Sequence, residues 1–401
     1  MSREFLHDFT SGHIIHCDTA TGDNAQSGLT FALAVETIEQ AISNCPEGGT
    51  IIIYPGTYDE ELTISKFVTL YGINKDTCII YPTTIGAGNG IAININTGKG
   101  LSLINLEVRG GDHSGASAAV QGSIAASIYI ENCYIHHEIK DGTHYGIQTG
   151  ASTSLCIIRD SILSSQSLAA LDATSEITLV ENSIIKSGFN RNAESGIIRG
   201  KNIFVKNSRI YGDTGPGDHN AGANARAGIL AEGNINLENV TIVVNGDNAN
   251  DDGDFHGILC NTANSLIQIK NTAISVDFSK ADASAGDAYG IKCNGSGVQT
   301  VITGSNVLSQ ISGDGTGTAY SLHGSNGAEF LTDAVFWDRT IDSGTIKNAQ
   351  VDVNTWGDID VSTKLQGGYP QADVVSVGGA SPQTDVATET KQDIIDTNID
   401  N

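Results

Sequence analysis

Along much of the chain an apolar residue alternates with a polar one, the run ends in Asn, and an apolar residue returns three positions later. The pattern appears as Leu101-Ser102-Leu103-Ile104-Asn105 with Val108, as Ile128-Tyr129-Ile130-Glu131-Asn132 with Ile135, and as Cys156-Ile157-Ile158-Arg159-Asp160 with Leu163. It continues through Val180-Glu181-Asn182 with Ile185, Ile203-Phe204-Val205-Lys206-Asn207 with Ile210, Ile235-Asn236-Leu237-Glu238-Asn239 with Ile242, and Ile267-Gln268-Ile269-Lys270-Asn271 with Ile274. Only Thr178, in the fourth copy, breaks the apolar rule. Period-two alternation predicts a strand with one face inward. Asn or Asp at its end predicts a corner in left-handed backbone, which these residues and Gly adopt at low cost. Gly72, after Val68 and Leu70, and Gly304, after Ile302, stand in the same register and predict two further corners.

Successive corners lie about 22 to 33 residues apart, the length of one solenoid turn with loops of variable size. A second strand signal recurs once per turn, as Gly90-Ile91, Gly146-Ile147, Gly196-Ile197, Gly228-Ile229, Gly257-Ile258 and Gly290-Ile291. Each turn therefore offers a Gly-Ile strand, a strand ending in Asn, and a third strand just after it. Stacked at about 4.8 Å per coil, at least seven such turns predict an all-β, right-handed, single-stranded parallel β-helix. Its interior fills with Ile, Val and Leu ladders, and its corner Asn side chains hydrogen-bond up the stack. These asparagines are corner residues in this reading, not ligand contacts.

A bare first coil would expose an open strand edge. Phe31, Leu33, Ala34, Ile38, Ala41 and Ile42 recur at helical spacing and predict a capping helix over Thr30 to Asn44. From about Phe330 the repeat fades. Near the end Ile395 and Ile399 (i, i+4) make an apolar stripe on a helix too short to stand alone, which predicts an oligomerising or attachment contact. The chain thus divides into an N-terminal segment with the capping helix (1–46), the β-helix (47–325) and a C-terminal extension (326–401).

Composition agrees: 47 Gly, 6 Pro, 6% aromatic and 17% charged residues suit short strands and tight turns. A formal net charge of -25 argues against nucleic acid and against anionic membrane surfaces, both of which need clustered Lys and Arg. It would also repel a polyanionic polysaccharide unless divalent cations bridge the two. Seven scattered cysteines, an odd number without a C-x-x-C pair, predict buried free thiols made in a reducing cytoplasm. Residues Met1 to Asp8 hold no apolar signal core, and no run of about 18 apolar residues occurs, so neither a Sec signal nor membrane insertion is expected.

Candidate chemistry concentrates in long polar loops between the third strand of one turn and the Gly-Ile strand of the next. These include His136-His137-Glu138 to Asp141 and His144, Gly212 to Asp218-His219-Asn220, Gly246 to Asp251-Asp252-Gly253-Asp254-Phe255-His256, and Asp277 to Asp287, beside Arg109 and Arg226. Stacked, they predict a rim of carboxylates and imidazoles on one edge of the solenoid. A glycosidase needs two carboxylates about 5 to 10 Å apart, and Asp218 with Asp252 or Asp254, on adjacent turns, are the candidates. His219, Arg226, Asp251, His256, His136 and Asp141 are the candidate saccharide contacts. A lyase would want a carboxylate-held cation plus a basic residue such as Arg226. The plainer reading of the rim is a solvated acidic loop face. No cofactor or metal site is expected: Asp251-Asp252-Gly253-Asp254 is oxygen-rich enough for Ca2+ but lacks EF-hand spacing, and adjacent His136 and His137 would point to opposite faces of a strand.

The segment Gly48-Gly49-Thr50-Ile51-Ile52-Ile53-Tyr54-Pro55-Gly56-Thr57-Tyr58-Asp59-Glu60, followed by Val68-Thr69-Leu70-Tyr71-Gly72, resembles the opening coils of the pectin-lyase-like superfamily, pectin methylesterases included. The match covers roughly residues 30 to 80; beyond that only the coil pattern matches. It implies the right-handed parallel β-helix. The Gln-Asp-Thr-Leu and Asp-Phe-Ile-Phe-Gly segments of the methylesterases do not occur, nor does the Asn-Thr-Asp, paired-Asp and Gly-His-Gly set of polygalacturonases, to which Asn261-Thr262-Ala263 comes nearest. The final segment, Thr388 to Asn401, is similar to segments of phage structural proteins, whose β-helical spikes and fibres are commonly trimers. That likeness implies a virion structural protein: a homotrimeric tail spike, fibre or capsid-surface appendage, joined to other virion proteins through one terminus and presenting its loop edge to a host-surface polysaccharide. The rival expectation is a polysaccharide hydrolase or lyase of the same fold, and enzymatic activity stays open between them.

Overall fold

The computed structural model describes residues 13–83, 92–111, 117–122, 125–138, 144–149, 155–166, 169–173, 177–188, 195–213, 225–247, 254–280, 287–313, 319–324, 328–332, 335–337, 345–348 and 358–360. Among them three sheets of fourteen, eleven and ten strands run the length of a right-handed parallel β-helix. One coil shows the plan. Leu155–Arg159 belongs to the first sheet, Ile162–Ser165 to the second and Ala169–Ala173 to the third. Each strand pairs in parallel with its counterparts one coil earlier and one coil later, as Leu155–Arg159 does with Ser127–Glu131 and with Thr178–Glu181. The first sheet begins at Ile14–Cys17 and reaches Thr345–Asn348 before Asp358–Asp360 closes it as an antiparallel strand.

Period-two alternation drives the inward face, and the burial patterns repeat it strand by strand. One inward column of the first sheet runs Ile51, Leu70, Leu103, Ile130, Ile158, Val180, Val205, Leu237, Ile269 and Ile302, each at most 2% exposed. Burying a side chain of this size stabilises by roughly 1.5–3 kcal/mol. Thr178, the exception in the sequence pattern, is also fully buried.

The corners are where the sequence placed them. Asn105, Asn132, Asp160, Asn182, Asn207, Asn239 and Asn271 all have φ between 48° and 56°, and Gly304 has φ 55°. Their side chains form amide ladders: Asn132 Nδ2 donates to Asn105 Oδ1 (2.7 Å), Asn207 to Asn182 (3.2 Å) and Asn239 to Asn207 (3.0 Å). The residue after the corner builds a second ladder that the sequence pattern did not announce. Ser161, Ser183 and Ser208 each accept, at Oγ, the backbone N–H one coil below, from Cys133, Ser161 and Ser183, at 3.0 to 3.2 Å. Each of these hydroxyls donates to the carbonyl two residues back.

Two register expectations change. Gly72 is not among the residues with positive φ; it is glycine because a Cβ there would strike the carbonyl of corner residue Asn105 on the next coil. In the third sheet Ile198, not Ile197, aligns with Leu171 and Ile229. Gly90-Ile91 lies outside the described residues. The other Gly-Ile pairs hold, and Gly257 shows why: an added Cβ would meet the Gly290 carbonyl at 2.5 Å.

The helix expected over Thr30 to Asn44 is shorter, a 3-10 turn at Phe31–Leu33 and an α-helix at Ile38–Asn44. Extended backbone at Thr37 starts it late, with the Thr37 hydroxyl accepting from Gln40 N. Glu60 accepts the N–H groups of Ile38 (2.9 Å) and Glu39 (2.8 Å), and Lys66 Nζ donates to the carbonyls of Ile42 (2.8 Å) and Cys45 (2.7 Å), so opposite charges meet the two ends of the helix. The stripe at Ile395 and Ile399 lies outside the described residues. All seven cysteines are buried and unbridged, as expected. Burial pushes the Cys133, Cys156 and Cys293 thiols up to about 12, which keeps them inert.

Candidate functional site

In the third sheet the residues between the inward Ile and Leu positions face outward, and register stacks them in one row. The row reads Asn94, Gln121, Gln148, Asp172, Arg199, Leu230, Leu259, Lys292, His323. Neighbours in it sit about 4.8 Å apart. It is polar at both ends and apolar at Leu230 and Leu259, which cluster with Ala227.

The N-terminal half of the row is a hydrogen-bonded chain of planar groups. Gln121 Nε2 donates to Gln148 Oε1 at 3.0 Å, and the Gln148 amide faces the Asp172 carboxylate. Arg199 lies on the other side of Asp172 and donates to Glu232 Oε1 through Nε (2.8 Å) and Nη2 (2.6 Å). Asp172 is only 6% exposed, and its Oδ1 has no hydrogen-bond partner. Burial pushes its carboxyl above the usual range; Arg199 and the Gln148 amide pull it down, and Glu232 pushes it up. Tyr145, packed with Ala118 and Ala169 beside the row, has its phenol pushed up to about 12 by burial and then by Asp172.

The C-terminal half is a cluster of rings and charges. His256 stacks on Tyr289 (5.0 Å between centroids) and Tyr289 on Tyr320 (5.1 Å), while His323 meets Tyr289 edge-on at 5.3 Å. Lys292 Nζ lies 3.9 Å from the Tyr289 ring centroid and donates to Asp254 Oδ2 at 2.9 Å. Tyr289 Oη donates to Asp287 Oδ2 at 3.0 Å, and the Asp287 N–H donates to Asp254 Oδ1 at 3.1 Å. Burial penalises the Asp254 charge, yet Lys292 and the Asp287 N–H outweigh it and hold the carboxyl below its usual range.

Of the residues singled out in the sequence, Asp218, His219, Asp251, Asp252 and Asp141 lie outside the described residues. Arg226, Asp254 and His256 do come together on adjacent coils, where Arg226 N donates to the Asp254 carbonyl and the Arg226 guanidinium lies 5.4 Å from the Phe255 ring centroid. Arg226 is 1% exposed and His256 fully buried, so neither side chain lies at the surface. His136 is elsewhere, on the second sheet, between Glu107 (Nε2–Oε1 3.0 Å) and Glu138 (Nδ1–Oε1 3.2 Å), with Arg109 Nε donating to the same Glu107 oxygen at 2.7 Å. His137 stacks on His144 at 4.3 Å; burial, then His144 and His136, lower it to about 4. Among the described residues no group of three or more His, Cys, Asp or Glu is placed to hold a metal.

The sequence pattern missed Gln121, Gln148, Asp172 and Arg199. Gln148 and Arg199 directly follow the aligned Ile147 and Ile198 of Gly-Ile strands, but Gln121 and Asp172 follow Val120 and Leu171 on strands without that pair, so only the register joins the four.

No family model matches the chain, and no curated protein matches it in sequence. Solved structures do match in shape. A pectin methylesterase from Yersinia enterocolitica matches at 14% identity over 62% of this chain and 90% of its own, with a TM-score of 0.33. A GH136 lacto-N-biosidase from Eubacterium ramulus matches at 10% identity over 79% and 68%, with a TM-score of 0.34. The A-module of a mannuronan C-5 epimerase from Azotobacter vinelandii matches at 14% identity over 73% and 91%, with a TM-score of 0.31. At these TM-scores the likenesses carry no argument about activity.

Proposed function

We propose that this chain is the glycan-recognising β-helix of a virion appendage, and that saccharide lies along the outward face of its third sheet. The observation that carries the reading is the row Gln121, Gln148, Asp172, Arg199: planar polar side chains repeated at strand spacing on a rigid wall and held by one another. Amides, carboxylate and guanidinium together offer donors and acceptors to ring hydroxyls. Arg199 is occupied by Glu232, while Asp172 Oδ1 is buried without a partner, so a glycan hydroxyl reaches it only if neighbouring side chains part. The row therefore favours a neutral, hydroxyl-rich glycan over a uronate, and the net charge of -25 acts in the same direction. The virion setting rests on the similarity of the last fourteen or so residues to phage structural proteins.

A second reading, a glycoside hydrolase using the same face, is favoured by one observation. Asp172 and Glu232 flank Arg199 in unequal surroundings, the first with its carboxyl pushed up by burial, the second bonded to the guanidinium. Glycoside hydrolysis uses two carboxyl groups in unequal protonation states. Titration calorimetry with neutral and uronate oligosaccharides tests the leading proposal. Neutral ligands should bind, and Asp172→Asn and Gln148→Ala should each weaken them by roughly tenfold or more. Binding that both substitutions leave unchanged would remove the face from consideration, and release of reducing ends that Asp172→Asn abolishes would favour the hydrolase.

A further inference from the structure

The outward face of the first sheet carries exposed apolar side chains beside a row of alternating charge. Phe67, Ile177, Phe204 and Leu266 project from it at 45%, 41%, 41% and 38% exposure. Leu155, Ile157 and Leu179 lie between them, half-buried. Beside this apolar band the next outward row reads Glu131, Arg159, Glu181, Lys206, Glu238, Lys270, one residue per coil. Its sign alternates at every coil and its formal charge sums to zero, on a chain whose total is -25. Ion pairs along it, Arg159 with Glu181 (3.2 Å), Lys206 with Glu238 (3.2 Å) and Lys270 with Glu238 (3.7 Å), hold it in order.

A row that alternates over an even number of positions reverses sign when read backwards. Rotation by 180° about an axis lying in the face, along the strand direction, lays each outward row over the same row of a second copy running the other way. With the axis between Thr178–Glu181 and Ile203–Lys206, Glu131 meets Lys270 of the second copy, Arg159 meets Glu238, and Glu181 meets Lys206. The same operation sets Leu179 over Phe204 at the centre. We propose that two copies of this chain pair antiparallel through the outward face of the first sheet, an isologous two-fold contact. The Leu179–Phe204 contacts at the axis supply the apolar attraction, while farther out Ile157 meets Asn236 and Tyr129 meets Gln268 of the second copy. The charged row selects the register, and its zero formal charge adds no local repulsion to the approach of two acidic molecules. The two-fold contact stands apart from the saccharide face, which lies on another sheet.

Sedimentation equilibrium of the full chain over a range of concentrations tests it. The expected result is a reversible dimer that Phe204→Glu weakens by roughly tenfold or more, with the circular-dichroism spectrum of the β-helix unchanged. Glu181→Lys should weaken the dimer by setting like charges opposite one another. The double change Glu181→Lys with Lys206→Glu should recover it, which a general loss of folding would not. A monomer at every concentration, a trimer, or a dimer indifferent to Phe204→Glu would each overturn the proposal.

Discussion

His256 shows what one misplaced proton would cost this architecture. Its ring is fully buried, both ring nitrogens lack hydrogen-bond partners, and it is held by stacking on Tyr289. Burial, then the Lys292 ammonium and His323, drive its pKa down to about 3, against an opposing pull from Asp254. The folded state therefore keeps a neutral imidazole, while the unfolded chain takes up a proton near pH 6.5. A folded-state value below the unfolded one gives stability that is present above pH 6.5 and is lost as pH falls from there toward 3. His256→Phe keeps a ring against Tyr289 and removes the titration. Urea midpoints measured between about pH 7 and pH 4 should fall less steeply for His256→Phe than for the parent; equal slopes would mean that the acid sensitivity comes from other groups, such as His137 or Asp254.

At the scale of the strand and its corner, much of the fold could be read directly from residue type. A left-handed φ near 50° excludes most side chains, so each corner had to appear as Asn, Asp or Gly, and the amide ladder gave Asn a further advantage over Gly. Asn207 separates the two effects, since it donates to Asn182 and accepts from Asn239. Asn207→Gly keeps the backbone and loses the ladder. Asn207→Ala loses both, and should be less stable than the glycine variant by about 1–2 kcal/mol in equilibrium urea unfolding. The outward positions carried no such signature. An outward Gln or Arg is chemically the same whether it faces bulk water or lines a site, and only the assembled register brings Gln121, Gln148, Asp172 and Arg199, on four separate coils, into one row. Loop residues suffer the same ambiguity more severely, and for that reason the rim built on Asp218 and Asp252 rested on composition alone. Gly72 is the instructive exception among the corners: glycine there answers a close approach from Asn105, and sequence cannot distinguish that need from a positive φ.

The whole molecule is a stack in which each coil pairs only with the coils on either side, so stability is a sum of local terms and nearest-neighbour terms. Ile158 sits at the centre of that stack, fully buried in the first sheet between Ile130 and Val180. Ile158→Ala opens a cavity in a core that the inward faces of all three sheets share, a change that costs about 2–5 kcal/mol in close-packed cores. In a globular core that cost would be shared by every element. Here the damage has neighbours in two directions only. Amide hydrogen exchange should quicken in Ser127–Glu131, Leu155–Arg159 and Thr178–Glu181, while Gly49–Ile53 at one end and Gln299–Thr303 at the other keep their protection. Equal acceleration across all five strands would show that the column unfolds as one cooperative body, with the long inward ladders coupling distant coils more tightly than contact between adjacent coils implies.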